Sequence, residues 1–133
     1  MEKNLTVIVP VYNSETTIEK CVSHLVDNDN IKVIAVDDGS SDESPNILDE
    51  LEKKYSNLVV IHQSNRGPSA ARNAALKLVD TDYIGFCDAD DYFESFNVQD
   101  IIDDSFELIV FNFHIHNYDE YNADFYSGQR NRF

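Results

Sequence analysis

The sequence has no tryptophan, two cysteines, three prolines and four glycines in 133 residues. Two cysteines cannot build the framework of a disulfide-stapled domain. Cys21 and Cys87 each sit inside an apolar pattern, the usual setting of an unpaired cysteine. The expected compartment is therefore reducing. Gly39, Gly67, Gly85 and Gly128 are too scattered for a G-x-G-x-x-G or Walker-type loop. No apolar run approaches the ~20 residues of a membrane span. The opening residues, Met1-Glu2-Lys3-Asn4, lack the design of a secretion signal. The expected place is the cytoplasm, or the inner face of the membrane as a peripheral protein.

Basic residues are scarce as well. Ten Lys and Arg face 25 Asp and Glu, for a formal charge of −15. Nucleic acid is excluded as a partner, because binding it relies on cationic side chains that release its counterions. An anionic membrane surface is disfavoured on the same ground. No basic residue stands between Lys77 and Arg130, where thirteen acids fall from Asp80 to Asp124. Such acidity reads either as a solvated surface or as a divalent-cation site, and local spacing must decide.

What is present suits one compact domain over residues 1–133. Apolar residues make up 42%, with 8 Phe and 7 Tyr, enough for a core and too apolar for a disordered chain.

The patterning alternates. Leu5 to Val11 (LTVIVPV) reads as a buried strand ending at Tyr12-Asn13-Ser14. Ser14 is expected to cap a helix with Ile18, Cys21, Val22, Leu25 and Val26 on one face. Ile31 to Val36 is a second strand, stopped by the turn signal Asp37-Asp38-Gly39-Ser40. Ser44-Pro45 predicts an N-cap and a first helical proline, followed by Ile47, Leu48, Leu51 and Tyr55 as the apolar stripe. Leu58 to His62 is a third strand. Asn65-Arg66-Gly67-Pro68 breaks the chain before an alanine-rich helix over Ser69 to Val79. Tyr83 to Cys87 is a fourth strand, ending at Asp88-Ala89-Asp90-Asp91. Val98 to Ile102 predicts a brief helix and Leu108 to Ile115 a fifth strand.

Strands alternating with helices imply a Rossmann-like α/β fold, a mainly parallel sheet with helices on both faces. Ligands of such sheets sit beyond the carboxyl ends of the strands. Topology alone thus gathers Tyr12-Asn13, Asp37 to Ser40 and Asp88 to Asp91 at one edge.

Asp88 and Asp90 are two apart at a strand end and point the same way. Like charges ~4 Å apart cost about 1 kcal/mol in water and about 4 at an effective dielectric of 20. A hard divalent cation would remove that cost; a solvated surface is the plainer alternative. The Asp37-Asp38 turn is either a capped turn or a reader of a polar heterocycle, since a carboxylate accepts an N–H such as the N3–H of uracil. Arg72 is either half of a surface ion pair or a fork for diphosphate, aided by its helix N-terminus. His114 and His116 read as ordinary strand histidines before a metal pair. His24 and His62 have no partner in sequence. Cys87 reads as core.

Four stretches, VIVPVYNSETTIEKCV (7–22), VIAVDDGSSDESPNIL (33–48), VVIHQSNRGPSAARNAAL (59–76) and YIGFCDADDYF (83–93), resemble the family 2 glycosyltransferases of the GT-A fold. The likeness covers residues 4–93, with a weaker, shortened remainder over 94–133. It implies transfer of a sugar from a nucleotide-diphosphate donor, a UDP-sugar first, to a hydroxyl of a saccharide or lipid-linked acceptor. Transfer with inversion, aided by Mn²⁺ or Mg²⁺, in surface polysaccharide synthesis, is what that family would do. By resemblance, Pro10, Tyr12, Asn13 and Glu15 form the nucleotide-pocket wall. Asp37 and Asp38 lie beside the base, with Asp38 the uracil contact. Arg72 lies near the nucleotide. Asp88 reaches the ribose or sugar, and Asp90 is the principal metal ligand, with Asp88 second and Asp91 in support. Family members continue well past the acidic triplet, into the acceptor wall and general base, so no catalytic base is named. The alternative is a catalytically incomplete nucleotide-sugar-binding or interaction module. A Mg²⁺ phosphotransfer domain fits poorly: a receiver expects a late lysine and none follows Lys77, and a phosphatase carries its D-x-D after the first strand.

Overall fold

A computed structural model describes residues 5–93. The described residues lie in one compact unit. The expected helix over Val98 to Ile102, the fifth strand over Leu108 to Ile115, and His114 and His116 lie outside the described residues.

Four strands and three helices alternate: β1 (Leu5–Val11), α1 (Ile18–Val26), β2 (Ile31–Asp38), α2 (Ser44–Lys54), β3 (Leu58–Gln63), α3 (Pro68–Leu76) and β4 (Tyr83–Phe86). The strands form one parallel sheet in the order β3-β2-β1-β4. Both faces of β1 and β2 are covered, so their side chains are buried almost without interruption. That is why these strands read as continuous apolar runs and do not alternate.

The strand order explains the helix placement. The chain steps from β1 to β2 to β3 in one direction, then returns past β1 to β4. Right-handed crossovers therefore put α3 on the face opposite α1 and α2. On the α3 face, Ala71 and Ala75 pack against Ile8, Ile34 and Val36. Alanine leaves room for close approach there. On the other side α1 buries Ile18, Cys21, Val22, Leu25 and Val26, the five residues expected. The loops after β1 and β4 leave at the point where the strand order reverses, the usual location of a ligand crevice.

Two caps differ from expectation. Ser14 does not cap α1. Residues 15–17 make an intervening turn, in which the Ser14 carbonyl accepts from the amides of Thr17 and Ile18, and Thr17 takes the cap position without a side-chain capping bond. Ser44 is the first residue of α2 and Glu43 precedes it as cap, because the Ser44 hydroxyl is engaged elsewhere. α3 begins at Pro68, one residue early, and ends at Leu76, three residues short of Val79.

Polar groups in the interior are matched. Among the described residues no buried side-chain nitrogen or oxygen lacks a partner. Asn57, unremarked in sequence, donates through Nδ2 to the carbonyls of Val26 and Ile31, each at 3.0 Å. It thereby ties the α1–β2 connection to the start of β3. At the outer edge of β3 the Val60 amide finds the Glu52 carboxylate of α2. A charged side chain over an edge amide blunts pairing with another chain.

Candidate functional site

The loops that follow β1 and β2 are bonded to one another. Asn13, at φ 46°, lies in the left-handed region that asparagine tolerates. Its Oδ1 accepts from the Ser41 amide at 2.8 Å, and its own amide donates to Ser40 Oγ at 3.0 Å. The Ser14 amide donates to Ser44 Oγ at 2.8 Å. The Glu15 amide donates to Asp42 Oδ2 at 3.1 Å, while Glu15 Oε2 accepts from the Glu43 amide at 2.9 Å. The Asp42 carboxyl is held below its ordinary value: despite desolvation, it accepts from the Ser44 amide and hydroxyl and the Glu15 amide. Acids here lie at the N-terminus of α2, where its unpaired amides favour negative charge. Tyr12 stands exposed beside this zipper and Pro10 is half-buried in β1.

The end of β2 is bonded to β3 and the loop beyond it. Asp38 is buried, and its carboxylate accepts from Gln63 Nε2, the Arg66 amide and the Gly67 amide, each at 2.8 Å. Burial works against ionisation, but these three bonds outweigh it and lower the Asp38 pKa. Gly39, at φ 73°, packs its backbone on Asn65; a Cβ there would meet the Asn65 amide nitrogen at 2.7 Å. Asp37 is also buried. Its Oδ1 accepts from the Ser40 amide at 3.0 Å, and its Oδ2 meets His62 Nδ1 at 2.9 Å. The Asp37-Asp38 turn is thus a capped turn in its bonding, whatever else its oxygens contact.

Beyond β4, Asp88, Asp90 and Asp91 are exposed, and one carboxylate oxygen from each lies within 4.8 Å of the others. Desolvation, then the charges of Asp90 and Asp88, raise the Asp91 pKa. An all-oxygen set at this spacing suits a hard divalent cation. Arg72 Nη2, from α3, lies 3.6 Å from Asp88 Oδ1 and its guanidinium 6.0 Å from the Phe86 ring centroid.

Helix α1 supports the acidic segment from beneath. Cys21 Sγ is 3.6 Å from the Asp88 carbonyl and 3.8 Å from Cys87 Sγ. Both thiols are free and buried, as expected for core cysteines. The Cys87 sulfur first, then burial, pushes the Cys21 thiol far up, which makes it unreactive. Just past the acids, the Tyr92 ring takes Lys20 Nζ at 3.9 Å and the His24 ring at 4.8 Å.

Of the expected site residues, Tyr12, Asn13 and Glu15 follow β1, Asp37 and Asp38 end β2, and Asp88, Asp90 and Asp91 follow β4, all at the carboxyl edge of the sheet, while Pro10 lies within β1 and Arg72 on α3. The bonds run from Asn13 to Ser41, from Asp38 to Gly67, and from Arg72 to Asp88. Sequence reasoning missed Gln63 and the two acidic partners of His62. The signal was available: aligning the apolar runs VIAV (33–36) and LVVI (58–61) sets Asp37 beside His62 and Asp38 beside Gln63, which is the observed register.

The family model of glycosyl transferase family 2 matches residues 6–129. The chain belongs to that family. It is 42% identical over 97 residues to a poly(ribitol-phosphate) beta-glucosyltransferase of Bacillus spizizenii, covering 68% of this chain and 15% of the relative. It is 32% identical over 133 residues to the glycosyltransferase GlyG of Streptococcus pneumoniae, covering 95% of this chain and 44% of GlyG. Among solved structures, residues 1–349 of S. aureus TarS in complex with UDP superpose with a TM-score of 0.66 at 34% identity, over 73% of this chain and 30% of that one. The mannosyltransferase PcManGT from Pyrobaculum calidifontis, in complex with GDP-Man and Mn²⁺, does so with a TM-score of 0.64 at 25% identity, over 71% of this chain and 30% of PcManGT. The chain spans less than half the length of these relatives. The fold is the Rossmann-like GT-A fold of the family, and no described helix is long and apolar enough to cross a membrane.

Proposed function

We propose that this chain is the donor-binding part of an inverting glycosyltransferase. It takes a sugar from a nucleotide diphosphate, a UDP-sugar first, and passes it to a hydroxyl of a saccharide or lipid-linked acceptor in surface polysaccharide synthesis. The observation that carries this reading is the meeting of Arg72 with the Asp88-Asp90-Asp91 trio at the carboxyl edge of the sheet. The UDP bound to TarS and the GDP-Man and Mn²⁺ bound to PcManGT support it.

Each group then has a role. Pro10, Tyr12, Asn13 and Glu15 wall the nucleotide, with Asn13 and Glu15 also holding the neighbouring loop. Asp37 and Asp38 stand at the base. A carboxylate offers about four acceptor positions, and Asp38 spends three on protein donors; the fourth is left for a base N–H. Arg72 turns from Asp88 to the diphosphate, for which its fork is suited. Asp88 then serves the ribose or sugar, and Asp90, with Asp88, is the ligand set for Mn²⁺ or Mg²⁺, Asp91 supporting it. When bound, the cation supplies the positive charge that lets a −15 chain hold a diphosphate. The expected place of action is the cytoplasm or the inner membrane face, where nucleotide sugars are consumed.

Calorimetry of UDP with and without Mn²⁺ tests this. Affinity should depend on the metal, and Asp90→Ala should abolish that dependence with the circular dichroism spectrum unchanged. Equal UDP affinity with and without Mn²⁺ in the parent chain refutes the reading.

A further inference from the structure

His62 makes two short contacts with acids from different elements. Its Nδ1 lies 2.9 Å from Asp37 Oδ2 on β2, and its Nε2 lies 2.7 Å from Asp49 Oδ1 on α2. Both nitrogens can donate at once only in the imidazolium form. In the neutral ring one nitrogen would turn a lone pair towards a carboxylate. The other oxygen of Asp37 accepts from the Ser40 amide, which closes the turn between β2 and α2. Ser40 Oγ in turn accepts from the Asn13 amide. A line of bonds therefore runs from α2 through His62 and Asp37 to both loops of the expected donor pocket.

We propose that His62 is a positioning residue of the donor site: bridging Asp37 and Asp49, it holds the turn 37–40 in the shape that receives the nucleotide. This rests on the function proposed above. His62 touches no substrate; it acts through Asp37. Asp37 from β2 and Asp49 from α2 are the charged groups that face it, whereas Glu50 and Lys53 of α2 pair with each other in solvent. The bond to Asp37 first, then that to Asp49, outweighs desolvation and raises the His62 pKa above its ordinary 6.5. The sign is then settled. The bridge is complete below about 6.5 and is lost as pH rises through the raised value. Donor affinity should fall over the same interval.

Two readouts on the 133-residue chain test it. Amide exchange followed by NMR gives the protection factor of the Ser40 amide without ligand, and calorimetry gives the affinity for UDP with Mn²⁺. In the parent chain both should drop about three- to tenfold as His62 titrates, a range set by charged hydrogen bonds that are partly exposed. In His62→Gln both should start lower; Ser40 protection should stay flat with pH, and UDP affinity should keep only the pH course set by the nucleotide's own terminal phosphate, which ionises at about 6. Asp49→Asn should shift the fall to lower pH, because it removes one of the two acids that hold the proton. Ser40 protection that follows the same pH course in parent and His62→Gln overturns the proposal. A parent chain that ignores UDP while its Ser40 amide follows His62 supports the bridge and refutes the donor-binding function instead.

Discussion

Asp38→Ala removes the acceptor of three donors held at 2.8 Å: the Gln63 side chain and the amides of Arg66 and Gly67. A bond to a charged group contributes about 1.5–3 kcal/mol, and a buried donor left unmatched costs about 1–3 kcal/mol. These terms do not sum. Arg66 is exposed, so its amide returns to water, while Gly67 and Gln63 are half-buried and recover less. Relief of the desolvated carboxylate offsets part of the loss. The net expectation is a destabilisation of about 2–3 kcal/mol. For a unit of this size that lowers the melting temperature by roughly 10–20 °C. Asp38→Asn should cost somewhat less, because it keeps one acceptor oxygen but turns an NH₂ towards the Gly67 amide. Urea unfolding followed by circular dichroism measures both. The bonding also predicts a pH course. The Asp38 pKa is lowered on folding, so its contribution is present above the unfolded value of 3.8 and is lost as pH falls through the lower folded value. The parent chain should therefore approach the stability of Asp38→Asn in acid. A change below about 0.5 kcal/mol in Asp38→Ala at neutral pH, the range of an ordinary surface substitution, would refute the clamp.

Gly39 and Gly67 both hold positive φ, at 73° and 94°, but only Gly39 is hemmed in by backbone. Gly67→Ala should cost the conformational strain alone, about 1–3 kcal/mol for a backbone in a region essentially reserved for glycine, whereas Gly39→Ala should cost more, since the Asn65 backbone must also move. Equal unfolding midpoints would contradict the packing of the turn on the β3–α3 loop. Asn57→Ala should destabilise by about 2 kcal/mol, because two buried carbonyls lose their donor; a loss under about 0.5 kcal/mol, surface-like in size, would show that water replaces the amide.

The carboxyl-edge residues differ in how far sequence could define them. The run of strand and helix from Leu5 to Phe86 was legible because buried parallel strands are apolar on both faces and amphipathic helices are not. The meeting of the polar clusters was legible too, since a parallel strand must deliver its end to the same edge as its neighbours. Cap positions were not. Ser14 and Ser44 look like caps locally, but the Ser14 amide and Ser44 Oγ are taken up by each other.

Composition, periodicity and the spacing of Asp88 and Asp90 thus determined the fold class, the edge where a ligand belongs and the acids that gather there. These are properties of short stretches of chain, governed by side-chain burial and by the two-residue repeat of a strand. Only tertiary structure decided what each carboxylate does. Asp38 grips a loop nearly thirty positions onward in the chain, Asp37 shares His62 with Asp49, and Arg72 reaches Asp88 from the helix that crosses over to β4. Hydrogen bonds form between groups a few ångströms apart in space, and that proximity exists only once the sheet has brought distant segments together.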